Sequence, residues 1–507
     1  MLNVNNRLTA MKRAVLIRVV QLQLAGTLAE NIDAIPEELI PDDAVPVRKD
    51  LAADRAAVRA RILADLGLLV EKTDGSKPLS AYVEEALSRE KPDFPFMTML
   101  ADACHGCKSA HFYVTSLCQG CEARPCVVNC PKKAIEVVNH RAHIDREACI
   151  GCGLCHQNCS YHVIVGFAPP CENACPVNAL YKDENGIEHI DYEKCTFCGA
   201  CRRVCPFGAM QPRSQLTDVI RQIQSGKKVH AIYAPAVAGQ FKAQPGQLES
   251  ALRKAGFAKV WEVAIGADIT ADREAHEFEE RMAEGAPMMT TSCCPAWVRL
   301  AQIHVPDIVP AISTTRSPMH YTGELAKKAD PECVTVFIGP CLAKRREAFD
   351  DEFVDYALSV DEIDALLAAM EIDITKMEGT TGKYVPTVSG RNFAKIGGVA
   401  ESVRLRVKDK SKLKPYIVNG MTKPAVRQLQ AWGKMVAGKA PLAPDAPNLV
   451  EVMCCEGGCI AGPGIITNAK LGLGLLAKYV AGGSTPGADG KPIPCDMDSV
   501  VRGETNA

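Results

Sequence analysis

Apolar positions near the amino terminus recur at helical spacing. Val58, Ile62 and Leu66 follow one another at i+4 in a stretch rich in Ala and Arg, which predicts an amphipathic helix. Breaks between helices are predicted at three segments that contain Pro or Gly, namely Ile35-Pro36, Pro41-Asp42-Asp43 and Asp74-Gly75. We therefore expect residues 1–95 to form an α-helical region, to which the sequence assigns no chemistry.

A different pattern begins near residue 226. Two mostly apolar runs predict buried strands, at residues 229–234 and 334–338. Two segments with helical spacing predict helices, at residues 248–254 and 361–370. Ser359 and Glu362 fit a capping box that would open the second of these helices. Strands that alternate with helices predict an α/β domain with a largely parallel sheet over residues 226–480.

Neither end of the chain predicts a membrane segment. The apolar run at residues 14–20 contains Arg18 and is far shorter than the roughly 20 residues that a bilayer requires. Because no signal cleavage site follows directly, we expect an amphipathic surface helix and a cytoplasmic protein, in which dense cysteines indicate metal. The net charge of -2 gives no electrostatic case for binding nucleic acid or an anionic membrane. Residues 481–507, rich in Gly, Pro and Asp, are predicted to be disordered.

The chain has 24 cysteines, and sixteen of them lie between Cys104 and Cys205. Their spacing includes the x2-x2-x3-Pro run of bacterial ferredoxins, in which the fourth cysteine binds the neighbouring cluster of a pair. Zinc sites instead favour two separated C-x2-C pairs. The spacing therefore predicts an α+β ferredoxin-like domain with several clusters over residues 96–215.

The fourth-cysteine rule divides the sixteen thiols among four [4Fe–4S] clusters. An inner unit over residues 118–160 would hold two of them, with Cys118, Cys121, Cys126 and Cys159 on one and Cys149, Cys152, Cys155 and Cys130 on the other. The outer unit, into which the inner unit is inserted, would use Cys195, Cys198, Cys201 and Cys175, and also Cys104, Cys107, Cys171 and Cys205. Cys104-x2-Cys107 alone also fits a zinc site or a redox pair. Four adjacent clusters would conduct electrons.

Three further cysteine motifs follow: TSCCPAW at residues 291–297, GPCLAKRRE at 339–347 and EVMCCEGGCIAGPG at 451–464. Because they are far apart in sequence, any shared site must be assembled by the fold. Pro340 suits the first position of a helix, which would place Cys341 where the helix dipole favours a thiolate. Cys455 and Cys459 could share one helical face. Three other cysteines are expected to be buried and free: Cys333, Cys454 and Cys495.

In this order and behind the cluster ligands, the three motifs resemble the signature motifs of [FeFe]-hydrogenases. The resemblance covers roughly residues 100–480, and TSCCPAW and the Cys118 to Cys130 spacing are most similar to the group B branch. It implies an H-cluster, in which a [4Fe–4S] cubane is bridged to a diiron site with CO, CN⁻ and azadithiolate ligands. Its ligands here would be Cys294, Cys341, Cys455 and Cys459. Cys459 would also bridge to the diiron site, whose own ligands come from dedicated maturation proteins.

The resemblance also implies a proton path. Cys293 matches the cysteine that passes protons to the azadithiolate amine. With one residue deleted before Cys293, four residues align with the relay positions of the family: Glu274, Glu277, Arg281 and Ser313. Charged runs are usually solvated, so a plain charged helix face at residues 272–281 is the alternative.

Other matches concern the surroundings of the cluster. Lys344 would hydrogen-bond a cyanide ligand, and a solvated helix lysine is the alternative. Met453 matches a pocket methionine, and Phe393-x3-Gly397-Gly398-Val399-x-Glu401 matches a glycine-rich segment near the cluster. The chain departs from the group A pattern at four positions: Gly339, Met319, His320 and Pro463.

The resemblance implies a hydrogenase that oxidises H₂ or reduces protons and exchanges electrons with ferredoxin or a similar carrier. One alternative is a hydrogen sensor of low turnover, although such relatives usually carry a signalling domain such as PAS. Another is a non-catalytic electron-transfer or iron–sulfur assembly protein. Those relatives generally lack the shuttle cysteine, which is present here as Cys293.

Overall fold

The computed structural model of the chain describes residues 6–107, 111–380 and 385–484. Cys495 and most of the segment predicted to be disordered, residues 485–507, lie outside these ranges. None of the helices in the described ranges is both long and apolar enough to cross a membrane.

The first part of the chain is built from helices: α1 Arg7–Leu24, α2 Leu28–Asn31, α3 Ile35–Leu39, α4 Leu51–Asp65 and α5 Val83–Ser88. Val58 and Ile62 on α4 and Leu66 at its end are fully buried, so the predicted amphipathic helix is confirmed. The break predicted at Ile35-Pro36 coincides with the start of α3, after α2 has ended at Asn31. Pro36 stands in the first turn, where the missing N–H has no helical partner to lose.

The cysteine-dense part has short antiparallel strand pairs. Its strands are β1 Met97–Met99, β2 His111–Val114, β3 Ile135–Val138, β4 Arg141–Ile144, β5 Ile164–Phe167, β6 Leu180–Lys182, β7 Glu188–Ile190 and β8 Met210–Pro212. Its helices are α6 Pro125–Val128, α7 Leu154–Gln157, α8 Pro170–Ala174 and α9 Ala200–Val204. The pairs are nested: β3–β4 lies within β2–β5 along the chain, and β2–β5 lies within β1–β8.

Parallel strands and long helices make up the rest. The strands are β9 Val229–Tyr233, β10 Lys259–Glu262, β11 Met289–Thr290, β12 Val334–Ile338, β13 Tyr356–Leu358, β14 Pro415–Asn419 and β15 Leu449–Met453. The helices are α10 Leu216–Gln224, α11 Pro235–Ala238, α12 Gln247–Lys254, α13 Val263–Ala283, α14 Pro295–His304, α15 Pro318–Ala329, α16 Lys344–Asp350, α17 Val360–Ala369, α18 Val388–Arg391, α19 Gly398–Arg406, α20 Lys423–Val436 and α21 Ala469–Ala481.

The predicted parallel strands are confirmed, but they form two sheets. One sheet has the order β10-β9-β12-β13 and the other has the order β11-β15-β14, and every pairing is parallel. In the first sheet Val334 pairs with Val229 and Ile338 with Tyr233. The predicted capping box of Ser359 and Glu362 is present at the start of α17. The fold is therefore mixed α/β, with the carboxyl ends of several parallel strands close to the cysteine motifs.

Helix α1 was predicted to lie on the surface, and this is wrong. Val15 and Val19 are fully buried among the other amino-terminal helices. Leu16 and Val20 lie on the adjoining face, about 100° further round the helix, and pack into the core formed by β9, β12 and α17. The helix is buried on two faces because it lies between two hydrophobic cores. The weak periodicity of its apolar residues does not reveal this position.

Candidate functional site

The four predicted H-cluster ligands meet at one cavity. Cys294 follows β11, Cys341 follows β12, and Cys455 and Cys459 follow β15. Because parallel strands bring their carboxyl ends to one edge, cysteines that are distant in sequence converge there. The wall of the cavity is almost wholly apolar and contains all four cysteines together with Cys293 and Lys344. Burial raises the pKa of Cys341 and Cys459, so without a bound metal both side chains are protonated thiols at neutral pH.

Two local predictions about these ligands are wrong. Pro340 does not open a helix, because α16 begins only at Lys344 and Cys341 lies in the preceding turn. Cys455 and Cys459 do not share a helical face, because Gly457 and Gly458 between them have φ of +90° and +87°. That conformation suits glycine and interrupts a helix. The turn still brings both thiols to the same cavity.

Cys293 and Glu274 form the buried start of the predicted proton path. Cys293 lines the cavity, and burial raises its pKa. Glu274 on α13 is fully buried, and its Oε1 accepts a hydrogen bond of 3.2 Å from the backbone N–H of Ser292. Its Oε2 has no hydrogen-bond partner among the described residues. Burial raises the pKa of Glu274 to about 8, so this carboxyl is largely protonated at neutral pH.

The path continues one helical turn further along α13. Glu277 Oε2 accepts a 2.6 Å hydrogen bond from Ser313 Oγ, and Ser313 also interacts with Glu274. Burial opposes the ionisation of Glu277, but hydrogen bonds from Ser313, Thr314 and Thr315 outweigh it and lower its pKa. Arg281 pairs with Glu277 at 2.6 Å. The structure thus brings the predicted residues together, and a purely solvated charged helix face is wrong.

Lys344 is buried beside the cavity, so the alternative of a solvated lysine is also wrong. Its Nζ donates to Ser317 Oγ at 2.9 Å and to Glu347 Oε2 at 2.6 Å. Burial alone would lower the pKa of Lys344, but the charge of Glu347 outweighs it and raises the pKa. The ammonium group is therefore charged at a cavity whose other walls are apolar.

Several predicted neighbours line the same cavity, including Met453, Phe393 and Met319. Glu401 does not belong to it, because this residue is exposed and pairs with Arg404. Sequence reasoning missed Phe337, the last but one residue of β12. A side-chain Cβ at Gly339 would lie 2.6 Å from the Phe337 ring, so the glycine leaves room for this ring in the cavity wall. The sequence feature that could have indicated Phe337 is its position as a large apolar residue two positions before Gly339.

The structure describes contacts for some of the sixteen upstream cysteines, and most of these contacts lie within the predicted sets, although Cys201 also interacts with Cys171 of the other outer set. Cys130, Cys149, Cys152 and Cys155 line one small cavity. Cys126 interacts with Cys121 and Cys159. The outer contacts join Cys201 with Cys175, Cys195 and Cys198, Cys107 with Cys104 and Cys205, and Cys171 with Cys205. None of the described residues forms a group of three that would hold a single metal ion. An iron–sulfur cubane is larger than one ion and needs wider sets such as these.

The Cys195 set lies directly against the buried cavity. Cys198 interacts with Cys294, and Cys454 interacts with both of them. Cys454 is half-buried and lines the cavity, so it is not the inert core cysteine that was predicted, whereas Cys333 is buried as expected. Pro463 also reaches this junction: a Cβ on Gly199, between Cys198 and Cys201, would lie 2.6 Å from the Pro463 side chain.

The chain is similar to known proteins in both of the cysteine-rich parts described above. Residues 227–463 match the family described as iron only hydrogenase large subunit, C-terminal domain. Residues 141–164 and 188–211 match 4Fe-4S binding domains. The chain is 31% identical over 382 residues to the periplasmic [Fe] hydrogenase large subunit of Nitratidesulfovibrio vulgaris, and the match covers 64% of this chain and 86% of that protein. The chain belongs to the [FeFe]-hydrogenase family.

Other relatives match over shorter stretches. Iron hydrogenase 1 of Clostridium pasteurianum is 27% identical over 262 residues, which cover 43% of this chain and 45% of that protein. The cytosolic Fe-S cluster assembly factor NAR1 of Kluyveromyces lactis is 32% identical over 112 residues, covering 22% of this chain and 24% of that protein. Among solved structures, a variant of the [FeFe]-hydrogenase HydA1 from Chlamydomonas reinhardtii matches with a TM-score of 0.42 and 20% identity, over 52% of this chain and 88% of that one.

Proposed function

We propose that this member of the [FeFe]-hydrogenase family catalyses the reversible reaction in which H₂ gives two protons and two electrons. The observation that carries the proposal is the single buried cavity that contains four cysteines, Cys293 and Lys344. When bound, the H-cluster supplies the iron chemistry at which H₂ is formed or split. Cys294, Cys341, Cys455 and Cys459 would hold it, and the charged Lys344 would donate a hydrogen bond to a cyanide ligand.

The residues of the chain itself would move the protons. Cys293 would exchange a proton with the site, and Glu274 is the next group able to take or give one. The raised pKa of Glu274 suits this task, because a proton carrier works best when its pKa lies near the ambient pH. Ser313, Glu277 and Arg281 would complete the route, and the side chains of Glu277 and Arg281 are 13% and 17% exposed.

The electrons would travel through four accessory [4Fe–4S] clusters to or from ferredoxin or a similar carrier. The close approach of Cys198, Cys454 and Cys294 supports transfer between the Cys195 cluster and the H-cluster. Dedicated maturation proteins would supply the diiron site. Within the family, the TSCCPAW motif favours the group B branch.

The decisive experiment produces the chain anaerobically with the maturation proteins and records infrared and EPR spectra, an iron count and viologen-linked H₂ turnover. We expect CO and CN⁻ bands together with turnover. Protein that contains iron but lacks these bands would contradict an H-cluster. Bands without appreciable turnover would instead favour a hydrogen sensor.

A second candidate is a non-catalytic iron–sulfur protein, since assembly factors are among the relatives. The presence of Cys293 in the cavity wall disfavours it, because a protein without turnover has no need for a proton shuttle. The same spectra separate the two functions: this candidate predicts [4Fe–4S] signals without CO or CN⁻ bands.

A further inference from the structure

A second cavity, of about 1000 Å³, lies where three parts of the chain meet. Its wall is formed by α1 and α4 of the amino-terminal helices, by α9 and β8 of the cysteine-dense part, and by the start of α17 together with residues 462–467. None of the four proposed H-cluster ligands lines it. Sites for small molecules have volumes of about 300–1000 Å³, so this space, which we call the α1 cavity, is large enough for a ligand of nucleotide size.

The charged side chains of the α1 cavity are mostly cationic. Six of them are basic and four are acidic: Arg7, Lys12, Arg13, Arg61, Arg202 and Arg203 against Asp65, Asp361, Glu362 and Asp364. Three of these acids already pair with an arginine: Asp364 with Arg13, Asp361 with Arg202, and Glu362 with Arg345, which lies outside the wall. Most of the negative charge of the wall is therefore neutralised by the protein itself.

Four cations of the wall form no ion pair within the described ranges, namely Arg7, Lys12, Arg61 and Arg203. The remaining acid of the wall is Asp65, and burial raises its pKa, which weakens it as a counter-charge. The α1 cavity thus has an excess of positive charge. An excess of this kind favours a ligand that carries more than one negative charge.

Arg61 on α4 is 5% exposed, and its guanidinium group is incompletely hydrogen-bonded. One Nη donates a hydrogen bond of 3.2 Å to the backbone oxygen of Phe207, but Nε is buried without a partner among the described residues. Buried charged groups in proteins are nearly always paired, because an unpaired one costs much free energy. The free Nε therefore marks a position for an acceptor that the described residues do not supply.

Lys12 faces the same cavity from α1. Burial, together with the charges of Arg202 and Arg61, lowers the pKa of Lys12 to about 7. The charge of Asp361 acts in the opposite direction, but this carboxylate is already paired with Arg202. Three cations from α1, α4 and α9 thus converge without an equal counter-charge. An anion bound between them would offset their mutual repulsion.

Part of the wall is apolar. Leu16 of α1 and Ile465 and Ile466 of the segment after the third cysteine motif line the cavity. Lys12 and Leu16 are four residues apart on one face of α1, so cationic and apolar surface adjoin each other. A ligand that fits both carries its charges at one end and an apolar part at the other, as a nucleotide does.

A cluster bound by Cys205 is the alternative counter-charge. Cys205 lines the cavity and interacts with both Lys12 and Arg61. The other three cysteines proposed for the same cluster do not line the cavity: Cys104, Cys107 and Cys171. Such a cluster would therefore supply negative charge at one edge and leave the space itself to a ligand.

We propose that the α1 cavity binds a nucleoside triphosphate or a related nucleotide with several phosphate charges. Lys12, Arg61 and Arg203 would hold the phosphates, because guanidinium groups match phosphate oxygens in a bidentate fashion. The apolar part of the nucleotide would rest on Leu16 and Ile466. Since the wall comes from three parts of the chain, the bound nucleotide would hold α1 against the other two and stabilise the folded protein. This binding goes beyond the proposed function and requires no H₂ chemistry.

Calorimetric titration of the cluster-loaded full chain with ATP, GTP or inorganic pyrophosphate, under anaerobic conditions, measures this binding. We expect one nucleotide per chain, a rise in the midpoint of thermal unfolding, and weaker binding of pyrophosphate, which has no apolar part. Lys12→Gln/Arg203→Gln should weaken nucleotide binding by about tenfold or more, because it removes two charged donors to phosphate. Arg427→Gln/Lys434→Gln, at two exposed cations of α20 outside the cavity, is the matched control and should bind as the native chain does.

Iron content and circular dichroism should be equal in all these variants, so that a folding defect is recognised separately. Absence of nucleotide binding to the native chain at millimolar concentration would overturn the proposal, and so would equal affinity in Lys12→Gln/Arg203→Gln and the control. Equal affinity for pyrophosphate and nucleotides would overturn the assignment to a nucleotide. If no nucleotide binds and Lys12→Gln/Arg203→Gln changes only the reduction potentials, these cations serve the cluster of Cys205 and the site is wrong. None of these outcomes depends on turnover of H₂, so failure of this site and failure of the proposed function are distinguishable.

Discussion

The buried cavity and the inner cysteine unit over residues 118–160 both gather cysteine thiols, but by different means. In the inner unit, eight cysteines lie within residues 118–159, and short loops suffice to group them. In the cavity, Cys294, Cys341, Cys455 and Cys459 come from the ends of three parallel strands. Local spacing groups cysteines close to the surface, whereas assembly by the whole fold groups them at a cavity that also includes Cys293 and Lys344. Under the proposed function, the second arrangement would add proton chemistry to iron binding.

The largest expected effect is that of Cys293→Ala, which tests whether the cavity differs from the other cysteine region in carrying a proton-transfer residue. Turnover should fall by about 10²–10⁴-fold, the usual contribution of a positioned acid–base group. Iron content and the infrared bands should persist, because Cys293 is not one of the four proposed ligands. Cys333→Ala, at a buried cysteine away from the cavity, is the control and should keep its activity. Unchanged turnover in Cys293→Ala would remove this residue from the proton path.

The contact between α16, which follows Cys341, and the segment after β8 can be broken at Glu362. This carboxylate is buried, pairs with Arg345 and also accepts a hydrogen bond from Ser214, which follows β8. Glu362→Gln leaves the charge of Arg345 buried and uncompensated, so the free energy of unfolding should fall by roughly 3–5 kcal/mol. Asp350→Asn, which disrupts the exposed pair with Arg346, should change it by at most about 1 kcal/mol. Equal losses in chemical denaturation would show that burial does not govern these pairs.

The buried environment of the cavity predicts a pH dependence of stability. Because burial raises the pKa of Glu274 from 4.5 to about 8, the folded chain keeps a proton that the unfolded chain releases. The stabilisation from this proton is complete below about pH 4.5 and is lost as the pH rises through about 8. Glu274→Gln cannot lose that proton, so its unfolding free energy should rise relative to the native chain across this window.

Denaturation curves between pH 4 and 9 would measure this difference. Glu401→Gln, at an exposed carboxylate, is the comparison and should show no such trend. A constant difference between native chain and Glu274→Gln over the whole range would mean that Glu274 is ionised in the folded protein, and the proton path would lose its central member.

The smallest effect concerns the outer cluster set. Cys104→Ala/Cys107→Ala should lower the iron content by one cubane, about four irons, and leave the infrared bands of the H-cluster in place. Iron analysis and EPR of the reduced protein would measure the loss, with Cys333→Ala as control. An unchanged iron content would return Cys104 and Cys107 to the alternative of a zinc site or a redox pair.

A structural feature can be predicted from the sequence when the residues that produce it are close together in the chain. The strands β9 and β12 and the capping box of α17 depend on residues that are neighbours in the chain, and all of them could be predicted. The assignment of the sixteen upstream cysteines to four clusters stays a prediction. The local geometry of Cys341 and of Cys455 with Cys459 could not, because turns and left-handed glycines determine it. The burial of Lys344 also required the fold, since its partner Ser317 lies on a different segment. The place of Phe337 in the cavity wall could be recognised only from its ring contact with Gly339 in the folded chain.

Helix α1 has a consequence for biosynthesis. Its residues Leu16 and Val20 are buried against α17, which begins at Val360, about 340 residues later. At a synthesis rate of about 5–20 residues per second, that partner is made roughly 20–70 s after α1. During this time one apolar face of α1 lacks its native cover, and a chaperone or a non-native contact can occupy it. Helix α1 is therefore among the last elements of the fold to acquire all of its contacts, so fragments that end before residue 360 are expected to aggregate during expression.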